Sequence, residues 1–81
     1  MKKQEQKKYV LDALDVRLHE VKAQWAKNYI AMKINENIVA DLKIDESKRS
    51  VSSKQVEACK LNMKIAEQEI DNFEWLLTQE K

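Results

Sequence analysis

The chain has 81 residues, 43% hydrophobic and 36% charged, and it contains neither glycine nor proline. Tight hairpin turns and phosphate-binding loops need glycine, so this composition excludes compact β-barrels and sandwiches and also nucleotide-binding loops. Fifteen Lys and Arg residues against fourteen Asp and Glu residues leave a net charge of +1, whereas a general nucleic-acid-binding surface shows a clear basic excess. The composition predicts an all-α protein.

The first predicted element is a long helix over about residues 4–43, because strong helix formers are frequent there and nothing breaks the pattern. Asn35 and Asn37 are poor helix formers, so a kink between them, giving a three-helix monomer, is an open alternative. Ile30, Ile34 and Ile38 continue through this point at i,i+4 spacing. That spacing favours one continuous helix.

A polar, serine-rich stretch follows, and it predicts a loop over residues 44–52. Ser52 and Gln55 have the spacing of a capping box, and Val51 with Val56 has that of a hydrophobic staple. A second helix is therefore expected over about residues 53–79. We predict one domain over residues 1–81, an antiparallel two-helix hairpin of coiled-coil type.

Apolar residues at alternating three- and four-residue spacing predict the seam between the two helices. Folding the chain at the serine-rich loop gives antiparallel pairs whose residue numbers total roughly 96. This register places Met32 near Met63 and Leu18 near Leu77. The predicted hairpin core consists of Leu18, Val21, Trp25, Met32, Val56, Cys59, Met63, Ile70, Phe73 and Leu77.

Each helix also carries a second apolar face, and such a face has to be covered. The first helix is predicted to be longer than the second, so that the part over residues 4–14 extends past it. One helix pair also buries little apolar surface for its size. We therefore expect a homodimer that forms a four-helix bundle, or a larger protein partner. The expected partner or oligomer interface consists of Tyr9, Leu11, Leu14, Ile30, Ile34, Ile38, Leu61, Ile65 and Trp75.

Residues with catalytic or ligand-binding chemistry are few. Cys59 is the single cysteine, so no internal disulfide is expected and a reducing, cytoplasmic location fits. His19, with Asp15 one turn before it, supplies two metal ligands where a site needs more. No nucleophile, acid–base pair or metal set stands out, so we expect no enzyme, catalytic residue, metal or cofactor. No signal peptide or apolar run long enough to span a membrane is present, so no membrane partner is expected.

These features predict a small non-enzymatic interaction protein, a regulator or inhibitor that acts through apolar helix faces. The Lys-, Asn- and Ile-containing composition is consistent with a bacterium or its mobile elements. The alternative is a small dimeric RNA- or DNA-binding helical bundle that uses surface lysines, of which Lys2, Lys3, Lys7 and Lys8 form a weak cluster. The identity of the partner and the biological process stay open.

Overall fold

The computed structural model describes residues 1–80, and it confirms an all-α antiparallel hairpin. Helix α1 spans Lys3–Ala40 and helix α2 spans Glu46–Glu80. They pack along their lengths into a rod of 63 × 15 × 14 Å. Lys81, the last residue of the predicted domain, lies outside the described residues.

Helix α1 is continuous through the asparagine-rich point. Asn35 donates from Nδ2 to the carbonyl oxygen of Ala31 at 2.7 Å, and Asn28 does the same to Gln24 at 2.9 Å. Each side-chain amide thus donates to a carbonyl one turn earlier in the same helix, and the helix continues through both asparagines. The three-helix alternative is therefore wrong.

The connection between the helices occupies residues 41–45, so the predicted loop over residues 44–52 is wrong. Lys43 donates its backbone N–H to Oδ1 of Asp41 at 3.0 Å, and Ile44 donates to the carbonyl of Asp41 at 3.1 Å. Asparagine and aspartate can form such turns through their side chains. No residue in the described range has a positive φ, so the turn is made without glycine.

The start of α2 differs from the predicted capping box. Arg49 donates its backbone N–H to the carbonyl of Asp45 at 3.0 Å, which places Asp45 at the N-cap position of α2. Ser52 lies inside the helix and is buried, because it faces α1 close to the turn. A residue with helical backbone on both sides cannot serve as the cap.

The earlier turn changes the predicted register. Met32 forms a buried cluster with Val56 and Cys59, and Met63 packs against it. Trp25 bonds to Glu67, four residues before position 71, which the predicted register places opposite it. The two helices are therefore displaced relative to the prediction by a little over one helical turn.

The two helices have nearly equal lengths, 38 and 35 residues, so the predicted overhang of residues 4–14 is absent. A shallow pocket at this end is lined by Val10 of α1 and by Gln79 and Glu80 of α2. Leu14 is buried and Leu11 is half-buried within the hairpin. Because α2 covers Leu14, this side chain has little surface left for a partner, whereas half-buried Leu11 keeps part of its surface.

The remaining seam positions divide by burial. The buried ones are Leu18, Val21, Met32, Val56 and Cys59, joined by Ala66 and the polar Asn28 and Ser52. The half-buried ones are Trp25, Met63, Ile70, Phe73 and Leu77. In the described chain no large side chain is less than 2% exposed. The core of the hairpin is thus a single row of side chains from each helix, on the sides that face each other.

Candidate interaction surface

A pair of asparagines forms a polar contact between the helices in the seam. Asn62 donates from Nδ2 to Oδ1 of Asn28 at 3.3 Å, and Asn28 is 8% exposed. Asn28 also donates to the carbonyl of Gln24, so its amide is bonded on both sides. A buried asparagine in a helical seam favours one register, because a shifted partner leaves its Oδ1 without a donor on the other helix.

One lateral side of the hairpin carries aromatic and charged contacts. The ring of Trp25 stacks on Tyr29 with centroids 5.5 Å apart, and the ammonium of Lys33 lies 5.6 Å from the Tyr29 centroid. Trp25 Nε1 donates to Oε1 of Glu67 at 3.0 Å. Both the ring face and the N–H of Trp25 are therefore engaged inside the hairpin.

Two ion pairs also join the helices. Arg17 lies 3.8 Å from Glu69 and Lys22 lies 3.6 Å from Glu74, and all four side chains are about half exposed. Exposed pairs of this kind contribute little to stability because water and salt screen them. They orient the two helices more than they hold them together.

The outer face of α1 is apolar and exposed. At ~100° per residue its members lie opposite the seam, where α2 cannot cover them. Side chains are 58% exposed at Ile30 and Ile34, 59% at Val16 and 63% at Tyr9. We name this surface the α1 outer face; it consists of Tyr9, Val16, Ala23, Ile30 and Ile34.

The outer side of α2 carries a second stripe with alternating three- and four-residue spacing. Every member is exposed, with 60% exposure at Leu61 and 62% at Trp75. The spacing keeps all of them on one side of the helix, away from α1. We name this surface the α2 outer stripe; it consists of Val51, Lys54, Ala58, Leu61, Ile65, Gln68, Asn72 and Trp75.

The predicted interface residues thus have different surroundings. Tyr9, Ile30, Ile34, Leu61, Ile65 and Trp75 are exposed, whereas Ile38 is half-buried. The predicted interface lacks two exposed apolar residues of the stripe, Ala58 and Val51. Val51 is 59% exposed, and it lies within the predicted loop over residues 44–52. Extending the spacing backwards from Leu61 and Ala58 would have found it.

The groups considered for chemistry are scattered. His19 and Asp15 are exposed, and Cys59 is a buried free thiol. Over residues 1–80 no three His, Cys, Asp or Glu side chains are grouped to hold a metal ion. A groove of about 570 Å³ between the helices is lined by side chains of both charges, among them Arg17, Glu20 and Lys27.

Over residues 1–80 neither helix contains an apolar stretch long enough to cross a membrane.

Comparison of the chain with protein-family models, with characterised proteins and with solved structures gives no match. The fold and its surfaces define the class: a helical hairpin that shows apolar residues on the outer sides of both helices. Any argument about function has to start from those two surfaces.

Proposed function

We propose that the protein is a small non-enzymatic interaction module, a regulator or inhibitor that binds other chains through the outer sides of its two helices. The observation that carries this proposal is the exposure of large apolar side chains opposite the seam on both helices. We propose that one of the bound chains is a second copy of the protein and that another is a larger protein.

The energetic argument concerns the apolar surface that the hairpin leaves in water. Burying one Leu or Ile side chain contributes about 1.5–3 kcal/mol. Four such residues, Ile30, Ile34, Leu61 and Ile65, are 48–60% exposed. Because about half of each side chain is already buried, completing their burial would contribute about 3–6 kcal/mol, comparable with the lower end of the stability of a small domain. An exposed surface of this kind, rimmed by polar residues, is typical of a binding site.

The α1 outer face has the form of a helix that enters a groove. Val16, Ala23 and Ile30 lie seven residues apart, and Ile34 follows one turn later, the spacing at which a helix presents anchors to an apolar groove. The matching partner is a protein with an apolar groove several helical turns long. Binding would act by occluding that groove.

The alternative function is nucleic-acid binding through lysines. The N-terminal lysines lie next to the end of α2, and residues 65–80 contain five acidic residues and no Lys or Arg. A phosphate backbone would be repelled by this acidic segment. The balance of charge therefore favours the protein-binding proposal. We also propose a cytoplasmic location, where a free cysteine stays reduced.

The proposal is tested by capturing binding proteins from a bacterial lysate on the immobilised chain. Ile30→Glu/Ile34→Glu should lose the larger partner, because it charges the α1 outer face. The matched control Gln6→Glu/Gln24→Glu adds the same two charges to α1, but at exposed positions on its lateral side, and should keep that partner. Equal capture by both variants would contradict the proposal.

Fluorescence titration with a labelled RNA hairpin and a DNA duplex at two salt concentrations tests the alternative. Binding through phosphates must weaken steeply as salt rises. We expect no saturable binding at physiological salt. Tight, salt-sensitive binding would replace the protein-binding proposal by the alternative.

A further inference from the structure

We propose that the α2 outer stripe is the contact between two copies of this chain, which pack with their α2 helices antiparallel about a two-fold axis that passes between Leu61 and Ile65, at the level of residue 63. This inference rests on the proposed function, since it names the self-contact and its geometry. It assigns α2 to the second copy and leaves α1 for the larger partner.

The first argument is the symmetry of the stripe. In a two-fold contact each residue faces its counterpart and the counterpart faces it in return, so an antiparallel helix pair needs a stripe that reads alike from both ends. Any stripe of alternating three- and four-residue spacing meets this condition, so the pairing of side-chain types about the centre, residue 63 in the α2 outer stripe, carries the argument. The facing pairs are Val51 with Trp75, Lys54 with Asn72, Ala58 with Gln68, and Leu61 with Ile65.

The same pairing matches side-chain sizes. The largest residue, Trp75, faces the smaller Val51, and Ala58 faces the longer Gln68. Two branched aliphatic residues of similar volume, Leu61 and Ile65, meet on either side of the axis. Knobs-into-holes packing requires this kind of complementarity between facing positions. All these side chains are exposed in the hairpin and are available for such a contact.

The second, independent argument is the charge along α2. Residues 48–64 contain five basic residues and a single acidic one, Glu57, whereas residues 65–80 contain five acidic residues and no basic one. Three of these carboxylates, those of Glu67, Glu69 and Glu74, contact side chains of α1 in the same hairpin. An antiparallel pair still places the basic half of each α2 beside the acidic half of the other. A parallel pair places like charges together along its whole length, which is destabilising. The charge distribution therefore selects the antiparallel orientation.

The proposed contact has a consequence for the shape of the dimer. Because the stripe lies on the far side of α2 from α1, the four helices form a flat layer with the two α2 helices in the middle. This differs from a compact four-helix bundle. Both α1 outer faces remain free at the two edges of the layer, so one dimer presents two identical surfaces and can bridge two partner molecules.

The experiment that tests the proposal is sedimentation of the full chain and three variants between 1 and 100 µM, concentrations we choose to span common dimer affinities. The wild type should be a dimer in this range. Leu61→Glu and Ile65→Lys each place an unpaired charge in the contact and should weaken dimerisation about 100-fold or more. Circular dichroism should show unchanged helix content, because both positions are exposed and both new residues are good helix formers.

The double variant Leu61→Glu/Ile65→Lys distinguishes the two orientations. In the antiparallel dimer each introduced carboxylate lies opposite an introduced ammonium group, so the dimer should recover at least about tenfold relative to either single variant. In a parallel dimer like charges meet, and the double variant should be the weakest of the set. A double variant no better than the single ones overturns the proposal.

A distance measurement provides a second readout. A nitroxide at Ser53→Cys, in a Cys59→Ala background, should give a separation of about 30 Å between copies, since the facing position is 73. A parallel pair would give about 10–15 Å, close to the distance between packed helices. The short distance would overturn the antiparallel geometry.

The failures of the two proposals are distinguishable. If Ile30→Glu/Ile34→Glu dissociates the dimer and the α2 variants do not, this inference is wrong while the proposed function stands. A wild-type monomer at 100 µM also overturns the inference, and the capture experiment on the α1 outer face then decides the proposed function separately.

Discussion

Asn28 and Asn62 meet across the seam, with 3.3 Å between Oδ1 of the first and Nδ2 of the second. This contact lies in a row of apolar residues that includes Val21 and Met32 on α1. An apolar seam alone permits several registers of similar energy, because leucine, valine and methionine can exchange neighbours. The asparagine pair favours one register, since only there does the buried Oδ1 of Asn28 accept a hydrogen bond from α2.

The first prediction concerns Asn28. Asn28→Leu should leave the free energy of unfolding unchanged or raise it by about 1 kcal/mol, because apolar packing replaces a buried polar group. The variant should at the same time lose the unique register. Chemical denaturation measures the first effect, and the distance between spin labels at Lys22 and Asp71 measures the second. A single narrow distance distribution in the variant would show that Asn28 does not set the register.

The second prediction concerns the hydrogen bond from Trp25 to Glu67. Glu67→Ala should lower the free energy of unfolding by about 0.5–1 kcal/mol, whereas Glu67→Gln keeps an acceptor and should cost less. A double-mutant cycle with Trp25→Phe isolates the interaction between the two side chains. The matched control is Glu57→Ala, which removes an exposed carboxylate that pairs with Lys60 on the same helix. A coupling energy of zero would contradict the contact.

The third prediction concerns the start of α2. Ser50→Pro should lower the free energy of unfolding by about 3 kcal/mol or more, because residue 50 lies inside the helix. Glu46→Pro should be tolerated, since proline is favoured at the first helical position. Thermal unfolding followed by circular dichroism compares the two. Equal tolerance of both prolines would support a loop extending to residue 52.

The fourth prediction concerns the Cys59 thiol, which is 7% exposed. It should react slowly with a thiol reagent in the native protein and rapidly after denaturation, because the reagent reaches it only when the hairpin opens. Ser53→Cys in a Cys59→Ala background places the thiol at an exposed position six residues earlier and should react at the rate of a free thiol. Fast native reaction of Cys59 would show that the seam opens readily.

Much of the fold can be predicted from local properties of the sequence. Helix formation, and the face on which a residue lies, depend on residues within one or two turns. The absence of helix breakers therefore predicted the two helices, and the spacing of Leu18, Val21 and Met32 predicted part of the seam between them. The second apolar faces were also predictable, since Ile30 and Ile34 cannot point toward α2 while Met32 does. These are consequences of helical periodicity alone.

The position of the turn could be determined only from the tertiary structure. The sequence offers two acceptable starts for α2, a capping box at Ser52 and the aspartate at position 45, and their local energies differ by little. Packing decides between them, because the earlier start lets both Ser52 and Val56 be buried against α1. That choice shifts the register, makes the helices equal in length and covers Leu11 and Leu14. Sequence determined two amphipathic helices that pack as a hairpin; burial along the whole seam, a non-local quantity, determined where the chain turns and which apolar residues remain exposed.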